Sequence, residues 1–206
     1  MLGRCIGAGL FALLLISMLP AVNADDSQQS SNLLTDGVSS NGYVCDPDGC
    51  STNDGTDWWR IYAYQGDIVS IAFSGSMNNA AWWCPGDGWE ADYSMHDETG
   101  SQVASMAKDD NNPSGTLSKT MPQAGNVYVK IKGKNSWCND GLDYTLLASI
   151  DKTARDTDED GFVDAEDDCD LIVGSSTNDR KGCIDSDSDG WSDTDSGWDV
   201  QNGADA

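Results

Sequence analysis

The sequence is poor in several residue types. It has one histidine, three phenylalanines and five prolines, and its 11 lysines and arginines face 35 aspartates and glutamates, for a formal net charge of -24. One histidine, His96, cannot build a histidine-based zinc site, and there is no H-E-x-x-H string, phosphate-binding loop or dinucleotide fingerprint. A Ser-His-Asp arrangement would have to pass through His96, and no nucleophile-elbow motif accompanies it. No active site is legible, and the expectation is a protein that is not an enzyme. The shortage of cations argues against nucleic acid and anionic membranes as partners, because both need a basic surface. Cations are the natural counterpart of such a chain.

Long apolar runs are also scarce. The one candidate, Ile6 to Leu19, follows Arg4 and precedes Val22-Asn23-Ala24, the layout of a secretory signal with a small-residue cleavage site. Residues 1–24 are therefore read as a signal peptide, and the mature chain is expected to begin near Asp25. A bilayer-spanning helix needs about 20 apolar residues, so no membrane span is expected after cleavage. The expected location is extracellular, secreted or at the cell surface.

Of seven cysteines, Cys5 leaves with the signal, and the remaining six fit an oxidising compartment. No C-x-x-C pair occurs, which disfavours zinc. Six cysteines admit many pairings; their layout suggests Cys45 with Cys50, Cys84 with Cys138, and Cys169 with Cys183.

Residues 25–42 are rich in Ser, Asp, Gln and Asn and read as a flexible lead-in. Residues 43–150 show short strand-like segments: Trp58–Tyr64, Ile68–Phe73, Asp92–His96, Gln102–Ala107, Thr116–Met121, Val127–Lys132 and Asp143–Ile150. Turn signals separate them, among them Gln65-Gly66-Asp67, Ser74-Gly75-Ser76 and Glu98-Thr99-Gly100. Val127, Val129 and Ile131 alternate with Tyr128, Lys130 and Lys132, and Tyr144, Leu146, Ala148 and Ile150 form a second inward row. No stretch sustains a helical period. The expected fold is all-β: an antiparallel β-sandwich, jelly-roll or immunoglobulin-like, followed over residues 151–206 by irregular loop repeats with little regular secondary structure.

That last segment carries 18 acidic and four basic residues, and Leu171, Ile172 and Val173 are its only apolar cluster between two acidic motifs. Something other than apolar burial must hold it together. The motifs run from Asp156 to Cys169 and from Asp185 to Trp198, 29 residues apart. Each places aspartates on alternate residues, then glycine, then another aspartate three residues on. Calcium takes six to eight oxygens at roughly 2.3–2.6 Å, and alternating aspartates can wrap it while glycine allows a sharp turn. The predicted ligands are Asp156, Asp158, Asp160, the carbonyl of Phe162, Asp164 and Asp167 in the first loop. In the second they are Asp185, Asp187, Asp189, the carbonyl of Trp191 and Asp193. The expected cofactor is Ca2+, in a structural role.

Both motifs resemble thrombospondin type 3 repeats, whose pattern is D-x-D-x-D-G-x-x-D-x-x-D-x-C. The first copy fills every position. The second has Ser196 and Trp198 where the pattern asks for Asp and Cys, with Asp195 or Asp199 as nearby substitutes. The resemblance implies a helix-free calcium array and a disulfide from Cys183 back to Cys169. An EF-hand would require flanking helices and a glutamate at the twelfth loop position, which is Asp167 or Ser196 here.

The middle of the chain resembles the pre-peptidase C-terminal domain, a non-catalytic β-sandwich appended to exported proteases. The likeness rests on Asp57 to Tyr62, Gln65-Gly66-Asp67, Asp92 to Gly100, Ala124 to Lys130 and Leu142 to Leu146. A departure is the insertion holding Trp82, Trp83, Cys84 and Trp89. With Trp137, those tryptophans could either pack over a disulfide or form a surface that grips a glycan or an extracellular protein.

The sequence thus points to an exported calcium-binding protein, a β-sandwich on a calcium-stiffened stalk that spaces or binds. An adhesion or carbohydrate-binding module using the tryptophan loops is one alternative; the accessory part of a larger exported protease is another. The chain ends beyond Val200 with no closing feature, which suggests that further repeats or another domain follow.

Overall fold

The structure is a computed structural model and describes residues 27–45, 55–78, 89–134, 141–201, 203 and 204. Nine strands are formed among these: β1 (Asn32–Leu33), β2 (Ser39–Cys45), β3 (Thr56–Ala63), β4 (Ile68–Asn78), β5 (Glu90–His96), β6 (Gln102–Asp109), β7 (Ser114–Thr120), β8 (Gly125–Lys134) and β9 (Gly141–Asp151). One 3-10 turn, Gln28–Ser30, precedes them. The strands form two sheets, β1-β3-β8-β5-β6 and β2-β9-β4-β7. All pairings are antiparallel except the short β1–β3 contact. The fold is all-β, as the sequence predicts. No helix among the described residues is long and apolar enough to cross a membrane. The predicted signal peptide lies outside the described residues.

Alternation builds the core. Trp59, Ile61 and Ala63 on β3, Ala91, Tyr93 and Met95 on β5, and Val127, Val129 and Ile131 on β8 turn inward from the first sheet. Val69, Ile71 and Phe73 on β4 meet them from the second sheet, with Leu142, Tyr144, Leu146 and Ala148 on β9. Phe73 anchors the aromatic centre, stacked on Tyr93 (5.3 Å) and Tyr144 (5.9 Å). Trp89 closes one edge at 6.2 Å from Phe73. A buried polar chain crosses the same region: Trp59 Nε1 donates to the Tyr144 hydroxyl (2.7 Å), which donates to Asp57.

The structure corrects two sequence expectations. The lead-in is not a flexible segment throughout, because Ser39–Cys45 pairs with β9 from Ser39↔Leu147 to Cys45↔Gly141, and Leu34 and Val44 are core residues. Within this strand Gly42 is required by its neighbour across the pair. A Cβ on Gly42 would stand 2.2 Å from the Tyr144 ring. Ser74-Gly75-Ser76 is not a turn, since β4 runs straight through it. Gly75 is there because Leu142 and Trp89 press on it, each 2.8 Å from where a Cβ would sit.

Beyond β9 regular structure stops. Leu171, Ile172 and Val173 are 73%, 53% and 64% exposed, so even this small cluster is not a core. What is buried there is Cys183, in its disulfide with Cys169, with Asp156, Ser176, Ser192 and Ala204. A bridge spanning 14 residues removes unfolded-chain entropy equivalent to about 3 kcal/mol. Cys45 is also disulfide-bonded; Cys50, Cys84 and Cys138, with the pairings predicted for them, lie outside the described residues.

Candidate metal centre

Residues 156–164 and 185–193 fold into the same loop. Asp156 and Asp185 each accept from the backbone three residues on (Glu159 N and Ser188 N, both 2.7 Å) and from the loop glycine (Gly161 N 3.0 Å, Gly190 N 2.9 Å). Asp158 and Asp187 each accept from the backbone two residues on, at 3.2 Å; Asp160 and Asp189 do so at 2.9 Å, from Phe162 N and Trp191 N. Glu159 and Ser188 occupy the left-handed region (φ 66° and 65°), as do Gly161 and Gly190 (φ 101° and 93°). Non-glycine residues seldom stay there without compensation. Two segments that share this strained geometry and only part of their sequence are held by the aspartates they share.

The result is a convergent carboxylate group in each loop. Oxygens of Asp156, Asp158 and Asp160 all lie within 4.8 Å of one another, as do those of Asp185, Asp187 and Asp189. Asp156 is buried and the next two half-buried, whereas Asp187 and Asp189 are exposed. Asp158 Oδ2 is buried with no hydrogen-bond partner. Desolvation, then the neighbouring charges of Asp160, Asp167 and Asp156, push the Asp158 carboxyl above its ordinary range. Desolvation also pushes Asp167 up, with Asp160, Asp170 and Asp156 adding to it. These are like charges held close together by backbone geometry. The donors are hard oxygens, and an orphaned carboxylate oxygen is an open ligand position, so the residues present fit calcium.

Asp164, Asp167 and Asp193 stand outside the two groups of three. Both oxygens of Asp164 are engaged by Thr157, through its N–H and its hydroxyl (both 2.7 Å). Asp193 accepts the same pair from Ser186, the N–H at 3.0 Å. These two aspartates clamp the loop stem. Asp195, the nearby substitute in the second loop, is paired with Arg180 at 2.6 Å, and that pairing holds its carboxyl low.

A residue that sequence reasoning passed over, Arg155, ties the first loop to the sandwich. Its guanidinium grips Asp67 with two bonds, Nε to Oδ1 at 3.0 Å and Nη2 to Oδ2 at 2.8 Å, and covers the Tyr64 ring at 4.5 Å. Asp67 is fully buried. Next to it Asp156 N donates to Gln65 O (2.9 Å), and Glu159 accepts from Ala124 N (2.7 Å). Gly66 lets the strands approach: its φ is +78°, and a Cβ would lie 1.5 Å from Ala154 O. The D-x-D-x-D-G motif abuts the β3–β4 turn. The only signal in the sequence was the Gln65-Gly66-Asp67 string.

Trp89 packs in the core, which removes it from the proposed ligand-gripping set. Trp82, Trp83 and Trp137 lie outside the described residues. His96 is buried on β5; its Nδ1 donates to Gly100 O (3.1 Å) and its Nε2 lies 2.9 Å from Ser94 Oγ. A serine–histidine contact exists, but the histidine's other nitrogen is held by a backbone carbonyl where a triad needs a carboxylate.

Fold and loops together define an all-β sandwich followed by paired acidic loops. No family model matches the chain, and no curated protein matches it. Among solved structures it is similar to the pre-peptidase C-terminal domain of a collagenase from Bacillus anthracis, at 13% identity and a TM-score of 0.38, covering 57% of this chain and 93% of that one. It is also similar to PliG from Aeromonas hydrophila, a periplasmic inhibitor of g-type lysozyme, at 9% identity and a TM-score of 0.34, covering 58% of this chain and 95% of that one.

Proposed function

We propose that this is an exported, non-catalytic calcium-binding protein in which the ion orders residues 151–206 against the β-sandwich. The observation that carries the reading is Asp158 Oδ2, a buried carboxylate oxygen with no donor, inside a group of three aspartates that share one 4.8 Å neighbourhood. Asp156, Asp158, Asp160, the Phe162 carbonyl and Asp167 would hold the first ion. Asp185, Asp187, Asp189 and the Trp191 carbonyl would hold a second, with fewer charges and more solvent. Bound calcium supplies charge neutralisation and crosslinking, and nothing catalytic.

The role follows from mass action. An ion that binds only the folded loops stabilises them by RT ln(1 + [L]/Kd), and extracellular modules bind calcium at about 10⁻⁴–10⁻³ M. The sandwich folds on its apolar core, and the tail folds on ions and one disulfide. Because Arg155 and Gln65 join the first loop to the β3–β4 turn, calcium would fix the tail's direction as well as its order.

Calcium titration of the mature chain, followed by Trp191 fluorescence and limited proteolysis, tests this. Saturable protection of residues 151–206 by about 10 mM calcium is expected. Identical cleavage in calcium and in EGTA would refute it.

A further inference from the structure

The outward face of the β3-β8-β5-β6 sheet is unlike the rest of this acidic molecule. Cross-strand register lines up Trp58, Lys130, Ser94 and Ser105 in one row and Arg60, Tyr128, His96 and Gln102 in the next. Lys132 and Lys134 extend the β8 line, so three lysines recur on one side at about 6.8 Å intervals. Four of the chain's 11 lysines and arginines stand on this face. Lys134 is paired with Asp92 at 2.5 Å; among the described residues no carboxylate pairs with Arg60, Lys130 or Lys132. A recess of about 300 Å³ opens between the strands, and its lining includes Asp92, His96, Gln102, Ser105, Lys130 and Lys132. Trp58 stands beside it, with Lys130 Nζ 5.1 Å from its ring centre and His96 tilted against it at 5.0 Å.

We infer that this face binds an oligosaccharide that carries uronic acid carboxylates. Lys130 and Lys132 supply charge-assisted donors for a carboxylate, the Ser105 hydroxyl and the Gln102 amide match sugar hydroxyls, and the neighbouring rings of Trp58 and Tyr128 match the apolar face of a sugar. The recess is the size of a sugar unit, well short of a duplex groove. A net charge of -24 repels a ligand with nucleic-acid charge density, but charges more than about 8 Å away are screened at physiological salt, so a short, sparsely charged sugar sees mainly the local lysines. Local complementarity therefore selects an anionic glycan despite the acidity of the whole chain. The site is independent of the calcium loops.

The test is calorimetric titration of the mature chain with a hyaluronan hexasaccharide, in calcium and again in EGTA. Expected are saturable binding of equal strength in both, none to the same oligosaccharide with its carboxyls reduced, and a loss of about tenfold or more in Lys130→Gln/Lys132→Gln. Both lysines point outward, so the variant should keep the parent's unfolding midpoint, and Lys181→Gln in the tail should bind like the parent. No heat at about 1 mM ligand, or binding that ignores the double substitution, would overturn the inference. Tighter binding of a single-stranded DNA hexamer or an oligo-aspartate peptide through the same lysines would also overturn it, assigning the face to nucleic acid or to an acidic protein segment.

Discussion

Replacing Arg155 with methionine should unfold the junction between sandwich and tail more than any surface change. The substitution keeps a similar stem over Tyr64 but removes both bonds to Asp67, at 3.0 and 2.8 Å, leaving a fully buried carboxylate with the Tyr64 N–H (2.9 Å) as its remaining neighbour. Breaking a buried pair from one side costs about 3–5 kcal/mol, and the surviving N–H and the partly exposed arginine place this case near the lower end, about 3 kcal/mol. For a sandwich of this size that corresponds to roughly 10–12 °C in Tm. Adding Asp67→Asn to Arg155→Met removes the stranded charge and should recover about 1–2 kcal/mol of the loss. Differential scanning calorimetry of the four proteins in the cycle, in saturating calcium, measures this. A drop of less than about 3 °C for Arg155→Met, or no recovery in the double variant, would refute the claim that Asp67 depends on Arg155.

Other consequences follow from the same geometry. Asp158→Asn should weaken the tighter calcium step by about tenfold or more, whereas Asp187→Asn should affect only the weaker one; calorimetric calcium titration separates them. Removing the bridge with Cys169→Ser and Cys183→Ser should cost the tail about 3 kcal/mol, seen as faster proteolysis of residues 151–206 in EGTA and partial rescue by calcium. Gly66→Ala forces a left-handed conformation costing about 1–2 kcal/mol and drives a methyl into the Ala154 carbonyl, so its urea midpoint should fall further than that strain alone explains. The pH dependence should have two signs. In EGTA, Asp158 and Asp167 are raised above 3.8, so the folded tail takes up protons more readily than the unfolded chain and their penalty is relieved as pH falls through their range. Desolvation alone would raise Asp179, but hydrogen bonds from Ser192, the Arg180 backbone and the Trp198 indole hold it down to about 2; its contribution is present above 3.8 and lost as pH falls toward 2. In calcium, protons compete for Asp158 and Asp167, so affinity should fall with pH. Pulse proteolysis between pH 7 and pH 3, with and without calcium, reads both.

Much of this was legible along the chain, because two kinds of local signal were strong. Period-2 rows such as Val127, Val129 and Ile131 specify strands with one buried face, and each of the seven expected strands is present, with ends shifted by a few residues. The spacing of Asp156, Asp158, Asp160 and Gly161 specifies a loop, since each carboxylate reaches a backbone N–H only two to five residues away. Short-range chemistry of that kind needs no knowledge of the fold, and the second loop repeats it residue for residue up to Asp193.

Tertiary structure decided whatever depends on partners far away in sequence. Ser39–Cys45 carries no apolar alternation strong enough to announce a strand, and it becomes one because β9 offers it an edge. Gly75 looks like a turn residue and is a packing residue, because Trp89 and Leu142 arrive from elsewhere. Trp89, grouped in the sequence with possible surface rings, is drawn into the core by Phe73. Asp164 turns to Thr157 and Asp195 to Arg180, partners that spacing does not reveal. The row of Arg60, Tyr128, His96 and Gln102 exists only after four strands are laid side by side. Sequence alone determined seven of the nine strands and the chemistry of the acidic loops, since both arise from neighbours within a few residues. Which of those chemistries face one another was decided by the register of the sheets and by burial, properties of the folded chain alone.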